Sequence, residues 1–284
     1  MVSSLDKVKR ARRPAMRARM MISGLPGAGK TWTALAIGSR LAGGPEGVLV
    51  IDTEAESALT YADQFPGFGH FVWTPPYDPS KLAELLGEVD EPWRVVVVDS
   101  LSHFWRGAGG TLDIADGKFG GWKHARPVQE RLLAALLHVR AHLIACVRAK
   151  IAYAVEEDGR QIRKLGLDPI QDDGLAYELN LAVEMDLEHR MFVSKSRCPV
   201  VPVGTIFGPG EEAALADTYG EWLAGGREAA PVGFVSEVSE LINSIPDKER
   251  RAAVKREFVA RFGLPTSLLA EQMEEVREWL SANA

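Results

Sequence analysis

The chain has 284 residues, 46% of them hydrophobic, and a formal net charge of −6. That is apolar material for one sizeable α/β domain with a smaller appendage, and the acidic balance excludes a uniformly cationic nucleic-acid coat. With no run of about 18 apolar residues, no apolar signal segment and only two unpaired-looking cysteines, a soluble cytoplasmic protein is expected, with no membrane partner and no disulfide framework.

Residues 1–16 read as a basic N-terminal arm. Lys7, Lys9, Arg10, Arg12, Arg13, Arg17 and Arg19, with no acid between 7 and 20, suit phosphate or an acidic surface as well as they suit a solvated leader. Ala18 to Ser23 is an expected strand. It runs into Gly24-Leu25-Pro26-Gly27-Ala28-Gly29-Lys30-Thr31, which fills every fixed position of the phosphate-binding loop G-x-x-x-x-G-K-[ST]. Its glycines let the backbone curl into a nest of N–H groups, and the helix expected from Trp32 to Leu41 adds the positive end of its dipole. Lys30 supplies charge for the outer phosphates and Thr31 a hydroxyl for Mg2+. Gly24, Pro26, Gly27, Ala28, Gly29, Lys30, Thr31 and Trp32 form the candidate nucleotide-binding set, with ATP and Mg2+ as the implied cofactors.

Gly47 to Glu54 is an apolar strand ending in two acids, Asp52 and Glu54. A short helix from Ser57 to Phe65, a short strand at Phe71-Val72-Trp73 and an amphipathic helix from Lys81 to Val89 follow. Trp93 to Ser100 is a second apolar strand, and Asp99 at its carboxyl end is the expected second Mg2+ residue, since ligands collect at those ends. Residues 104–126 fit no regular element in their first part. Phe104, Trp105, Phe119 and Trp122 alternate there with Arg106, Lys118, Lys123 and Arg126, the ingredients of a single-strand nucleic-acid surface or of a loop whose aromatics tuck inward.

A helix from Pro127 to His138 and a buried strand from Ala141 to Arg148 come next. Asp158-Gly159 signals a hairpin whose arms carry Lys150, Arg160, Arg163 and Lys164. Tyr177 to Leu187 and Arg190 to Val193 read as strands, the second running into Ser194-Lys195-Ser196-Arg197, where two cations can face one side. From about Phe207 only helices are expected: Glu211 to Leu223, then a small bundle stopped and restarted at Pro246-Asp247, Gly263 and Leu269.

Over about residues 15–205 this constellation resembles the RecA-type P-loop ATPases, and in particular the phage-encoded Sak-type group implicated in single-strand annealing. The run Arg148, Leu165-Gly166-Leu167-Asp168-Pro169, Tyr177-Glu178 and Lys195-Ser196-Arg197 carries the link to the phage group. The resemblance implies an α/β RecA-like core (17–206), with a mainly parallel sheet flanked by helices, and a small all-helical C-terminal region (207–284). It makes Glu54 the general base, places Tyr61 against the nucleotide base and makes Arg148 a polar sensor where the family commonly has glutamine. Lys195 and Arg197 become fingers reaching a neighbouring subunit's phosphates. It further implies a ring or filament, with single-stranded DNA bound through 104–126 and 150–165.

The function expected from these readings is an ATP-hydrolysing protein of DNA recombination, acting on single strands in annealing or strand exchange. A phage or host replication or recombination protein is a further expected partner, and the compartment is the cytoplasm of the infected bacterial host. A ring helicase or helicase loader, and a nucleotide-dependent switch or scaffold with weak hydrolysis, share the same core and are the alternatives.

Overall fold

The computed structural model describes residues 13–117, 120–155, 162–225, 232–262 and 273–283. Lys7, Lys9, Arg10, Arg12, Lys118, Phe119, the Asp158-Gly159 tip with Arg160, Gly263 and Leu269 lie outside the described residues, as do the side chains of Arg163 and Lys164.

Strand β1 (Arg19–Gly24) leads through the glycine loop into α1 (Lys30–Ala42). β2 (Val48–Asp52) is followed by a 3-10 turn at Ser57–Tyr61 and by β3 (Gly69–Val72). Then come α2 (Pro79–Glu88), β4 (Val95–Asp99), α3 (Ser102–Arg106), α4 (Thr111–Ile114) and α5 (Trp122–His138). β5 (His142–Val155) pairs antiparallel with β6 (Ile162–Pro169) in its second half. The turn α6 (Leu175–Glu178), then β7 (Leu181–Met185), β8 (Met191–Ser196), β9 (Ile206–Phe207) and α7 (Glu212–Ala224) complete the unit that holds the sheet.

The sheet order is β3-β2-β4-β5-β1-β7-β8-β9, parallel from β3 through β7, with β8 and β9 antiparallel at one edge. Strands of this kind are covered on both faces, so side chains alternate between two apolar layers. Val96, Val98, Leu143 and Ala145 face a core that includes Leu82 and Leu86 of α2 and Leu132 and Leu136 of α5. Val48, Val95 and Ile144 crowd α1 at Gly38, where an added Cβ would touch Val95 at 3.4 Å. The fold is therefore α/β, a mainly parallel sheet flanked by helices, with C-terminal helices beyond it.

Several expected elements differ from the observed ones. The 104–126 stretch is mostly helical, because its glycines sit at helix ends: the Gly107 N–H closes α3 on the His103 carbonyl at 2.7 Å. Phe104 is fully buried against Trp73 and Tyr77, so it is a core residue and not a surface aromatic. Helix α5 begins at Trp122, with Pro127 inside its second turn. Tyr177 lies in a helical turn, not a strand, because Asp172 caps that turn through the Gly174 N–H at 2.7 Å. Two residues beyond the expected last strand, Ile206 and Phe207, add an edge to β8.

Helix α7 lies with the sheet. Arg40 of α1 donates to both oxygens of Asp217 at 2.5 and 2.9 Å, and the buried Tyr219 hydroxyl bonds Asn180 Oδ1. The compact unit accordingly spans Arg17–Trp222, where the sequence grouped 207–222 with the C-terminal helices. The other unit, Met1–Met16 with Leu223–Ala284, contains α8 (Val232–Ser244), α9 (Lys248–Phe262) and α10 (Met273–Asn283). Its own core includes Phe234, Val238, Ile242, Phe258, Val276 and Trp279. Among the described residues no helix is long and apolar enough to cross a membrane.

Arg19 corrects the reading of the basic arm. It is only 9% exposed, and its guanidinium donates to the carbonyls of Ala18, Leu137, Val139 and Ala141 at 2.6–2.9 Å. Burial lowers its pKa to about 10, helped by the nearby Arg17 charge. Next to it, His142 accepts the Ala18 N–H at 2.9 Å, and burial first, then Arg19 and Arg17, depress its pKa to about 4. Arg19 thus fastens the end of α5 to the start of β1 and is unavailable to an outside partner. Replacing it with methionine strands several buried carbonyls, and urea unfolding is expected to show a loss on the order of 3 kcal/mol. A change under about 0.5 kcal/mol would contradict this role.

Candidate nucleotide-binding site

Register alone brings the chemistry together. Gly24 pairs with Arg148, Asp52 with Asp99, and Asp99 with Cys146, so the loop, both acidic strand ends and the arginine gather at the carboxyl ends of four neighbouring strands.

In the glycine loop, Gly27 and Gly29 adopt φ of 80° and 89°, the left-handed region that a side chain disfavours. No atom lies within 4 Å of a Cβ built on Gly27, so that side of the loop is open. Lys30 Nζ lies across the loop, donating to the carbonyls of Gly24 and Leu25 at 3.1 and 3.0 Å. Thr31 Oγ1 donates to Asp99 Oδ2 at 2.5 Å. Asp99 is buried, and burial lifts its pKa to about 6, opposed by the Thr31 hydrogen bond and the Lys30 charge and reinforced by Glu54 and Asp52.

The two acids at the end of β2, Asp52 and Glu54, have separate jobs. Asp52 is fully buried, and its Oδ1 accepts the Glu54 N–H at 2.7 Å while Oδ2 accepts the Ala58 N–H at 3.1 Å and lies 3.1 Å from His70 Nε2. It therefore shapes the turn that presents Glu54. The next residue, Thr53, donates its hydroxyl to the Ser100 carbonyl at 3.1 Å and accepts the Ser100 N–H at 2.7 Å. With that proton spent, His103 Nδ1, 2.7 Å from Thr53 Oγ1, must be the donor to it. His103 stacks on Tyr77 at 4.7 Å, and its pKa is lowered by burial and then by Arg148. Sequence reading missed this layer, since a histidine after an apolar strand carries no signal of its partner.

Glu54 and Arg148 form a two-pronged ion pair: Nε donates to Oε1 at 2.7 Å and Nη2 to Oε2. Glu54 raises the Arg148 pKa, while the Ser102 hydroxyl takes the Arg148 backbone N–H at 2.9 Å. Arg148 thus meets the carboxylate after β2 directly.

Tyr61 and Trp32 meet edge to face at 5.5 Å, and Trp32 meets Phe65 in the same way at 5.1 Å. Trp32 also borders a cavity of about 590 Å³ lined by Phe65, Ala36, Arg40 and Glu212. Phe65 and Glu212 were not legible as neighbours, because they come from distant parts of the chain.

Lys195 and Arg197 are not brought to this loop. Lys195 pairs in register with Ala182, three residues before Met185, which pairs with Gly24. Strand spacings then put Lys195 roughly 14 Å from Gly24 within one chain. Both cations instead converge on the Tyr177 carbonyl, at 3.3 and 2.6 Å.

A glycine nest opening a helix, with a lysine across it and a threonine hydroxyl on a buried carboxylate, is the site of a P-loop nucleotide-binding protein. The chain matches the AAA domain family (AAA_24) over residues 16–210 and belongs to that family. No curated protein matches it. The P-loop domain of this family is an NTPase domain that binds nucleotide, typically with Mg2+. The residues fit that ion: a hydroxyl and a carboxylate are hard oxygen donors, and Mg2+ takes one or two such groups together with phosphate and water. Thr31 and Asp99 would hold it, where it would neutralise phosphate charge.

The Glu54–Arg148 pair is half exposed on the arginine side, so its strength is discounted for solvent. A double-mutant cycle with Glu54→Gln and Arg148→Gln in urea unfolding is expected to give a coupling of about 1–2 kcal/mol. Additive effects would mean the pair is not held in solution.

Proposed function

We propose that the protein is an ATP-hydrolysing, RecA-like recombination protein of the Sak type, working on single-stranded DNA as a ring or filament. The observation that carries this reading is the split of the cations. Arg148 meets Glu54 beside the loop, whereas Lys195 and Arg197 stand at the far end of β8, suited to a neighbour's phosphates.

On this reading Lys30 draws the outer phosphates, and Thr31 with Asp99 holds the metal that offsets their charge. Glu54, presented by Asp52, accepts a proton from the attacking water once Arg148 releases it. Burial and the Arg197 charge lower Lys195 to about 8, so its help to a neighbour fades as pH rises through that value. Trp32 and Tyr61 flank the base.

For the nucleic acid, support comes from Trp105 and Trp122, whose rings lie 6.1 Å apart with Trp122 40% exposed and Arg106, Lys123 and Arg126 exposed around them. Stacked bases and paired phosphates need this combination. Lys150, on the arm of the 150–165 pair, is bridged to Asp168 at 3.1 Å and is a less available cation.

Glu54→Gln should bind ATP as the wild type does and turn it over about 10²–10⁴-fold more slowly, by phosphate release. Unchanged turnover removes Glu54 as the base. Trp122→Ala should weaken single-strand binding by about 1–3 kcal/mol in a fluorescence titration, and wild-type affinity should fall steeply with salt. Binding indifferent to both would leave the protein a nucleotide switch without a DNA role.

A further inference from the structure

The turn between β7 and β8, residues 186–190, stands at the glycine-loop end of the sheet, because Met185 pairs with both Gly24 and Met191. Asp186 makes that turn rigid. Its Oδ1 accepts the N–H groups of Glu188 and Arg190 at 3.1 and 2.9 Å, its Oδ2 accepts Arg190 Nε at 2.7 Å, and its carbonyl accepts the His189 N–H at 3.2 Å. Within this frame His189 takes a φ of 60°, a left-handed conformation that costs a non-glycine residue about 1 kcal/mol or more. The turn sustains that cost, and the result is a specific placement of the imidazole.

His189 Nδ1 lies 3.1 Å from the Ala28 carbonyl. A carbonyl only accepts, so Nδ1 carries the hydrogen. The ring also covers Gly29: a Cβ built there would lie 3.0 Å from Nδ1, so a side chain at this position would have to push the imidazole aside by a few tenths of an ångström, in addition to the strain of its φ. In a trans peptide the carbonyl of one residue and the N–H of the next point in opposite directions. Holding the Ala28 carbonyl toward β7–β8 therefore turns the Gly29 N–H to the other side of the peptide, the direction in which a phosphate nest presents its donors.

We propose that His189 is a positioning residue of the phosphate site, fixing the Ala28–Gly29 peptide through its Nδ1–H so that the loop is set for a nucleoside polyphosphate before it arrives. This role rests on nucleotide binding at the loop and not on the DNA reading. It adds a fixed hydrogen bond from outside the motif to a loop whose glycines would otherwise leave that peptide free to rotate.

The test is the affinity of a fluorescent ADP analogue for the full chain carrying His189→Ala, His189→Asn, His189→Gln and His189→Gly, with melting temperature as the folding control and Lys30→Ala as the non-binding reference. His189→Ala should bind about 5–10-fold more weakly, the worth of one hydrogen bond. His189→Asn should restore affinity to within about 2-fold, because its amide nitrogen stands where Nδ1 stands and asparagine tolerates the left-handed φ. His189→Gln, one methylene longer, should not. His189→Gly relieves the φ without supplying a donor and should stay as weak as alanine. Wild-type affinity in the alanine or glycine variant overturns the proposal, as does an asparagine variant that folds but is no better than alanine. Failure of the wild type itself to bind ADP would instead remove the nucleotide site.

Discussion

The contact on which the site depends is a single hydrogen bond from Thr31 to Asp99 across an intervening strand. β5 lies between β1 and β4, so the first turn of α1 must pass over β5 at Cys146 for the hydroxyl to reach the carboxylate at 2.5 Å. What lies beneath the crossing is Cys146, fully buried, its thiol 3.8 Å from the Lys30 carbonyl and its pKa pushed up by burial. A small side chain there lets the helix sit close to the sheet. A larger one would lift α1 and part the Thr31 hydroxyl from the Asp99 carboxylate. The buried Asp99, held near 6, is strained by its setting and is tolerated because the hydroxyl and the Lys30 charge face it.

Around that contact the site is built in further layers of hydrogen bonds. Asp52 shapes the Glu54 turn, and Thr53 ties β2 to the residue after Asp99. His103 is locked between Thr53 and the Tyr77 ring. Gln171 reaches from the end of β6 to the Leu101 carbonyl at 3.2 Å, so the antiparallel pair β5–β6 is fastened to the segment that follows Asp99. The Thr53 and Gln171 ties each join two strand ends that are not consecutive in sequence. Together they make the carboxyl edge of the sheet one hydrogen-bonded body.

Much of this arrangement is legible in the sequence. The loop motif, the apolar strands and Asp99 at a strand end follow from local pattern, because parallel strands buried on both faces are written as continuous apolar runs. Tertiary choices were not legible. Arg19 reads as one more cation of a basic arm, yet four carbonyls, that of Ala18 before β1 and those of Leu137, Val139 and Ala141 between the end of α5 and β5, claim it. Phe104 reads as part of an exposed aromatic loop, yet Trp73 and Tyr77 enclose it. Glycines between 107 and 121 suggest irregular chain where they in fact separate short helices. His189 has no motif at all, and its place follows from the length of one hairpin.

The distribution of cations is the feature from which the proposed assembly follows. One arginine stands on the acid beside the loop, and a lysine and an arginine stand at the opposite end of the sheet, where both donate to the Tyr177 carbonyl. On the proposed reading such an ATPase would be incomplete as a monomer, and head-to-tail association would supply what is missing. The direct measurement is hydrolysis by mixtures of two defective chains, Arg197→Ala and Glu54→Gln, across a range of ratios. If the fingers act on a neighbour, an interface pairing the intact loop of one with the intact Arg197 of the other regains activity, and the rate passes through a maximum near equal proportions. A rate that never exceeds that of either variant alone would contradict the shared site.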